Sequence, residues 1–599
     1  MKKIISFILS VLMVLSISSQ SFAQNKYDRK KLEQKVDKYI EERKEGTASI
    51  SMGFFEDGEV LFKKQYGLID VENNVPVSED SVYEWGSVSK SLIWVSIMQL
   101  VEEEKISLDE DVKTYFPEDF KKDLKFEKKV TVLDLMNHQG GFQEVTYPVE
   151  FENKEEIPEL KELLLLSQPP QIYNPGEVTA YNNWSSALAS YVVECVSGVK
   201  FYEYVNENIF KRLEMDKTSI KPDWTDNDFV SENRNKSKSY AYFDDSKENL
   251  GKSISYIGLY PAGSCAGTLD DFLKFAVEFT KSDSVLFKQR KTLNYFKTPS
   301  LYYKDTKVGR NFHGLWSIDY KTQLIGHSGN TQGYTSSFFF NPEDNSGYLV
   351  MTNEVGETSY NYGLGELFYG KPEKVNVEDN DITGVYFSKR TIEKGFARFV
   401  KYFSGILPIS KTKSNTTFKV SIGNATIKSI GNGFYRFDNG NGLSYNLHKI
   451  AGIKYFENYT TDYEKFKTQE LVIAVILLLS MVTMPITLLV NTIVQVVRKI
   501  RRKKNSKYVL INHLTMLLST FISLTFFYLW MFTDNYNPNK IRIISIILII
   551  FSVIILLNLT YQLYNRLKDK NKKIDLIGGI YLLTSVISVL FFQLYNFWS

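Results

Sequence analysis

Tyr83-Glu84-Trp85-Gly86-Ser87-Val88-Ser89-Lys90-Ser91-Leu92-Ile93-Trp94 carries the densest chemistry in this 599-residue chain. From Ser87 onward the pattern predicts a helix, because Ile93, Ile97, Leu100 and Val101 recur at helical spacing and would face a core. Ser87 and Lys90 stand three apart, so both side chains leave that helix from one side. They sit at its N-terminus, where the dipole favours developing negative charge. A serine hydroxyl is a weak nucleophile until a base takes its proton. A lysine amine can be that base once burial or a second cation lowers its pKa. Ser-x-x-Lys alone is a weak signal: it recurs at Ser197/Lys200 and Ser410/Lys413, where it is read as chance.

The weight comes from two downstream segments. Pro175-Gly176-Glu177-Val178-Thr179-Ala180-Tyr181-Asn182-Asn183 reads as a loop entering a helix from Trp184 to Val196. Ile325-Gly326-His327-Ser328-Gly329-Asn330 is followed by Phe338 to Asn341 and Tyr348 to Asn353, a strand pair turning at Pro342 to Gly347. Ser-x-x-Lys, Tyr-x-Asn and His-x-Gly in this order resemble the penicillin-recognising serine hydrolases. The branch most alike holds class C β-lactamases, D-alanyl-D-alanine peptidases, and related esterases and D-amino-acid peptidases. Leu108 to Val112 with Tyr115-Phe116-Pro117, Thr131 to Gly141, and Pro261-Ala262-Gly263 with Thr268 to Phe272 resemble further family signatures. The likeness runs from Tyr27 to Tyr369.

The resemblance implies an α/β (α+β) β-lactamase/DD-peptidase-like fold, an antiparallel sheet flanked by helices plus a helical lobe. Ser87 would attack a carbonyl to form an acyl-enzyme. Lys90 and Tyr181, hydrogen-bonded to each other, would move protons as general base and acid. Asn183 would orient Lys90 and the substrate amide. The backbone N–H groups of Ser87 and Asn330 would form the oxyanion hole. His327 and Gly329 would lie on the inner edge strand, His327 contacting the substrate or its carboxylate. Three positions depart from the pattern: His327 replaces the lysine of most β-lactamases, Asn182 is a bulky amide between Tyr181 and Asn183, and Cys265 stands where a small residue is common. The missing permanent charge at His327 lowers the expectation of efficient β-lactam hydrolysis and keeps peptidase and esterase action open.

Outside this region the composition is uneven. The 43% hydrophobic and 24% charged averages conceal apolar ends around a mixed middle. A net charge of +3, with much of the basic excess in two short loops, makes no nucleic-acid surface. Two cysteines, Cys195 and Cys265, give no disulfide framework; two free small apolar side chains are expected, with one bridge between them as the alternative. Five histidines without ligand spacing support no metal, and no cofactor is implied. Residues 1–23 have the charged, apolar and small-x-small parts of a signal peptide, with a retained anchor helix as the alternative. The hydrolase domain is assigned to 27–375 and a small β-rich domain to 376–465, with Ile392 to Phe403 a helix or amphipathic connector.

Residues 466–599 hold four apolar runs, Leu471–Val497, Val509–Phe532, Ile543–Leu563 and Ile577–Trp598. Each has about 20 residues or more, enough to cross a ~30 Å hydrocarbon core. Arg498 to Lys507 and Arg566 to Lys573 are basic connections, which stay cytoplasmic. The hydrolase domain is then extracytoplasmic on a multi-pass cell-membrane protein, the side to which a signal peptide delivers it. Asn491, His513 and Asn558 are scattered and no charge lies mid-span, so anchoring is expected rather than transport. The leading expectation is a serine hydrolase of penicillin-binding type acting on a small peptide or acyl-D-amino-acid substrate, with β-lactams as potential ligands. The alternatives are a D-amino-acid peptidase maturing a secreted natural product, an esterase or β-lactamase, and a catalytically silent sensor of β-lactams or wall fragments.

Overall fold

The computed structural model describes residues 26–597 except 244–245, 252–254, 373–380, 415, 422–424, 439–443, 451–454, 502–506, 532–536 and 569–575. The expected signal peptide lies outside the described residues, as does part of each basic connection.

Nine antiparallel strands form the main sheet, ordered in space Leu301–Tyr302, Gly309–Phe312, Leu315–Asp319, Gln323–Asn330, Thr335–Asn341, Ser346–Thr352, Ser49–Glu56, Glu59–Asp70 and Val75–Pro76. The expected hairpin closes with Asn341 opposite Ser346. Ser49–Glu56, Thr335–Asn341 and Ser346–Thr352 are buried at every position because helices cover both faces. The period of two shows in Phe338-Phe339-Phe340: Phe338 and Phe340 pack with Phe272 and Phe279, while Phe339 joins the opposite core with Val36, Tyr348 and Leu364.

The segment at Ser87 is not one regular helix. A 3₁₀ turn, Gly86–Ser89, leads into the α-helix Lys90–Glu102. That helix has no solvent face over Lys90 to Leu100, since it runs between the sheet and the helical lobe built on Asn183–Ser197. Gln323–Asn330 differs from the expected edge strand. The hairpin partner Leu315–Asp319 covers Gln323 to Gly326, but His327 to Asn330 pair only with Phe338 to Thr335. Their outer edge is therefore free to face the Ser87 turn.

The β-rich segment is a closed eight-stranded barrel from Gly384–Ser388 to Asp462–Lys465, filled by Tyr386, Leu407, Ile409, Phe418, Ile427, Tyr435, Leu447 and Phe456. It is joined to the domain of the nine-stranded sheet through buried charge. The Arg310 guanidinium, 2% exposed, donates to the Asn458 carbonyl at 2.8 Å, Glu457 at 3.3 Å and Asp462 at 2.7 Å.

Among the described residues three helices are long and apolar enough to cross a membrane, Thr468–Ile500, Pro538–Lys568 and the span Ile511–Leu529 within Lys507–Met531. The fourth apolar run appears as Leu576–Phe591, 16 residues, shorter than the others among the described residues. Of the three polar residues expected to be scattered, Asn558 joins a cluster: it donates to Asn512 at 3.2 Å and Thr515 at 3.0 Å, and Gln562 donates to Asn512 at 2.6 Å, while Asn491 bonds Met516 Sδ at 2.9 Å outside it. Such bonds between helices fix their rotation in an apolar surround. The connector Ile392–Phe403 holds one 3₁₀ turn, Arg398–Tyr402, and packs Phe396, Phe399 and Tyr402 onto the bundle. Gly395 N–H donates to Gln593 Oε1 at 2.9 Å, Phe396 N–H to the Asn596 carbonyl at 2.7 Å, and Arg398 Nη1 to the Phe591 carbonyl at 2.6 Å.

Candidate active site

Two glycines let the strand edge reach the Ser87 turn. A Cβ on Gly329 would meet the Trp85 carbonyl oxygen at 2.1 Å and the Ser87 nitrogen at 2.6 Å. One on Gly86, whose φ is +50°, would meet the Asn330 nitrogen at 2.7 Å. Backbone therefore lies directly on backbone here, and the N–H groups of Ser87 and Asn330 come from facing strips. Trp85, stacked on Phe272 at 4.1 Å between ring centroids, fixes the turn from below, and its carbonyl accepts from Ser336 Oγ at 2.7 Å.

Lys90 Nζ donates to Ser87 Oγ at 2.9 Å and to the Ala262 carbonyl at 2.6 Å. Ser87 is partly exposed while Lys90 is 0% exposed. Burial holds the Lys90 amine well below its ordinary pKa of 10.5, Arg390 lowers it further, and Glu144 partly opposes. The expected Lys90–Tyr181 hydrogen bond is absent. The Lys90 nitrogen lies over the Tyr181 ring, 4.9 Å from its centroid, and its second donation goes to the Ala262 carbonyl. Burial pushes the Tyr181 phenol up, with the adjacent Ser87 hydroxyl and Arg390 pulling it back. Tyr181 thus stays a neutral phenol at ordinary pH. Its Oη and the Asn183 Oδ1 are buried and make no hydrogen bond of standard geometry, so Asn183 does not hold Lys90 directly. Asn182, the bulky departure, caps the following helix by accepting from Ser185 N–H at 2.8 Å and donates to the Gln143 carbonyl at 2.7 Å.

His327 is brought to the site as a buried imidazole, consistent with the absence of a permanent charge on this strand. It is 0% exposed, lies 3.9 Å from the Trp316 ring, and its Nδ1 is 2.7 Å from the Ser328 carbonyl. Burial, then the Lys90 charge, keeps its pKa well below 6.5, so it offers no cation to a carboxylate. Cys265 is buried beside the turn, where its carbonyl accepts from Trp85 N–H at 2.7 Å; burial pushes the thiol far up and leaves it inert.

Several residues here lie outside the expected site, among them His138, which its place in the glycine signature marks as structural. His138 has φ +55° and its ring lies 4.4 Å from that of Tyr181. From the barrel side, the Thr460 carbonyl accepts from Tyr181 N–H at 2.9 Å, and Tyr459 lies 5.1 Å from Trp316. Arg390, just past the barrel's first strand, places its guanidinium carbon 4.8 Å from the Tyr181 centroid and donates through Nε to Glu144 at 2.7 Å. Only His138, within the glycine signature Thr131 to Gly141, carried a sequence signal.

Residues 34–365 match the family described as Beta-lactamase. The chain belongs to the beta-lactamase family. Among curated relatives, "Protein flp" of Staphylococcus aureus strain N315 is 23% identical over 327 residues, 54% of this chain and 63% of that protein. "Teichoic acid D-alanine hydrolase" of S. aureus is 25% identical over 186 residues, 31% of this chain and 44% of that protein. The chain thus spans less than two thirds of the length of these relatives. The octameric penicillin-binding protein homologue of Pyrococcus abyssi has a TM-score of 0.48 and 20% identity, covering 73% of this chain and 100% of its own.

Proposed function

We propose that this chain is a membrane-anchored serine hydrolase that forms an acyl-enzyme on Ser87 and cleaves acyl-D-amino-acid bonds of the cell-wall peptide class outside the membrane. The observation that carries this is the Lys90 amine, fully buried, 2.9 Å from the Ser87 hydroxyl with the Tyr181 phenol beside both. The depressed Lys90 pKa supports a neutral amine able to take the Ser87 proton. The raised Tyr181 pKa supports a phenol able to give one to the leaving group. Ser87 and Asn330 N–H are the donors for the oxyanion, and Asn183 with its unpaired amide oxygen meets the substrate amide. A silent sensor has no use for a buried base on its serine. The basic connections support the outward placement of the hydrolase domain. The D-alanine in one relative's name agrees with this substrate class and admits an ester as well as a peptide.

The test is intact-mass analysis after exposure to a penicillin, together with turnover of D-amino-acid peptides and simple esters. Wild type should form an adduct and turn over at least one substrate, and Ser87→Ala should do neither. Equal turnover by the Ser87→Ala protein ends the proposal, and turnover of esters alone moves the reading to the esterase branch.

A further inference from the structure

We propose that Arg390, supplied by the C-terminal barrel, binds the free carboxylate of the substrate's terminal D-amino acid and so sets specificity at the Ser87 site. This rests on the hydrolase reading above and goes beyond it by assigning the carboxylate receptor to a different domain.

A substrate carboxylate bound beside the buried Lys90, Tyr181 and His327 needs a cation with free donors. The strand motif does not provide one, since His327 is buried and neutral. Lys90 is committed to Ser87 and Ala262. Arg390 is differently placed. Its guanidinium carbon lies as close to the Tyr181 ring, 4.8 Å, as the Lys90 nitrogen does at 4.9 Å, so it borders the reacting groups. Its Nε is held by Glu144 at 2.7 Å, which fixes the plane of the fork. Neither terminal nitrogen donates to any described residue, and the side chain remains 40% exposed. A guanidinium fixed at Nε with both Nη groups open has the geometry that pairs with a carboxylate through two parallel hydrogen bonds.

The backbone around it is fixed as well. Arg390 N–H donates to Ser388 Oγ at 3.1 Å and Thr461 Oγ1 at 3.0 Å. Thr391 accepts from Glu144 N–H at 3.1 Å, and Gln143 Oε1 accepts from the N–H groups of Glu393 and Lys394 at 3.1 and 2.9 Å. Glu144 leaves the Arg390–Glu144 pair near neutral overall, so the receptor is directional rather than a broad positive field. A carboxamide in place of the acid offers one acceptor instead of two, sets its NH2 donor against a guanidinium donor, and loses the charge.

The experiment uses the full-length protein in detergent or nanodiscs, with an N-acyl-D-alanyl-D-alanine dipeptide and its C-terminal carboxamide. The readout is the ratio of kcat/KM for acid over amide, with penicillin labelling of Ser87 reporting a folded site. Arg390→Gln should lower the ratio at least ten-fold, chiefly through KM for the acid. Arg390→Lys, which keeps charge but not the fork, should fall between. Glu144→Gln, which removes the neutralising partner, should raise it. A residue that merely holds the cleft together would slow both substrates alike and leave the ratio still. A ratio unmoved by Arg390→Gln and Glu144→Gln while turnover remains Ser87-dependent overturns this inference alone. Turnover that survives Ser87→Ala, or wild-type turnover of neither dipeptide, removes the parent reading and this one with it.

Discussion

Replacing Gly329 by alanine is the sharpest perturbation of the Ser87 site that leaves every polar group in place. The added Cβ would stand 2.1 Å from the Trp85 carbonyl oxygen, 2.6 Å from the Ser87 nitrogen and 2.9 Å from the Val88 nitrogen, where ordinary contact begins at 3.4 Å. All three atoms are backbone, so no side chain can rotate away. The free edge from His327 to Asn330 has to retreat from the turn by about 1 Å, carrying Asn330 N–H with it. A misplacement of about 1 Å costs on the order of 10²-fold in rate, near 2.7 kcal/mol of barrier. The donors act most strongly on the oxyanion, so the loss should appear in kcat and leave KM nearly unchanged. Overpacking adds roughly 1–3 kcal/mol of destabilisation. The assay pairs steady-state ester or peptide hydrolysis with the rate of Ser87 acylation and a thermal melt. A Gly329→Ala protein that acylates within three-fold of wild type would refute the close approach and the oxyanion assignment built on it.

Three further outcomes are expected. The ascending limb of the pH–rate profile should lie well below pH 10.5, because Lys90 must lose its proton to act; Arg390→Gln removes a repelling cation and should move that limb to higher pH, and an unmoved limb argues against Lys90 as base. His138 and His327 are buried with pKa values held well below 6.5, so the unfolded chain binds protons the folded chain refuses, and stability should fall as pH drops below about 6.5. His327→Gln should lessen the slope of that fall by about 1.4 kcal/mol per pH unit, measured by melting across pH 5–7, and an unchanged slope contradicts its neutral burial. Arg310→Ala strands Glu457 and Asp462 at the junction with the barrel and should destabilise by roughly 3–5 kcal/mol; a loss below 1 kcal/mol in a melt of the detergent-solubilised protein would show that the junction is held elsewhere.

Of the sheet, the strand pair turning at Pro342 to Gly347 was legible as local pattern, as were the shared side of Ser87 and Lys90 and the Tyr181 loop; the rest of the sheet followed only from the family resemblance. Ser87, Lys90 and Tyr181 do converge. What local pattern could not convey is which acceptor wins. Lys90 bonds the Ala262 carbonyl, 172 residues away, rather than Tyr181, and that is settled by how the Tyr260–Ala262 turn packs. Arg390 and Glu144 were invisible for a related reason. Each lies in irregular chain, 246 residues apart, and they meet only because the barrel docks on the hydrolase domain. The helix bundle shows the same limit, since Asn512, Asn558 and Gln562 become a cluster only once the rotation of each helix is known.

The connector from Arg390 to Tyr402 is moored at one end by Glu144 and Gln143 and at the other by Phe591, Gln593 and Asn596, a few residues from the chain's end. A water-soluble fragment cut ahead of Thr468 would retain Ser87, Lys90 and Tyr181 yet leave Gly395, Phe396 and Arg398 without their far moorings. Ligands ranked on such a fragment would be ranked against a cleft with one slackened wall, so that comparison belongs on a protein that retains the helices.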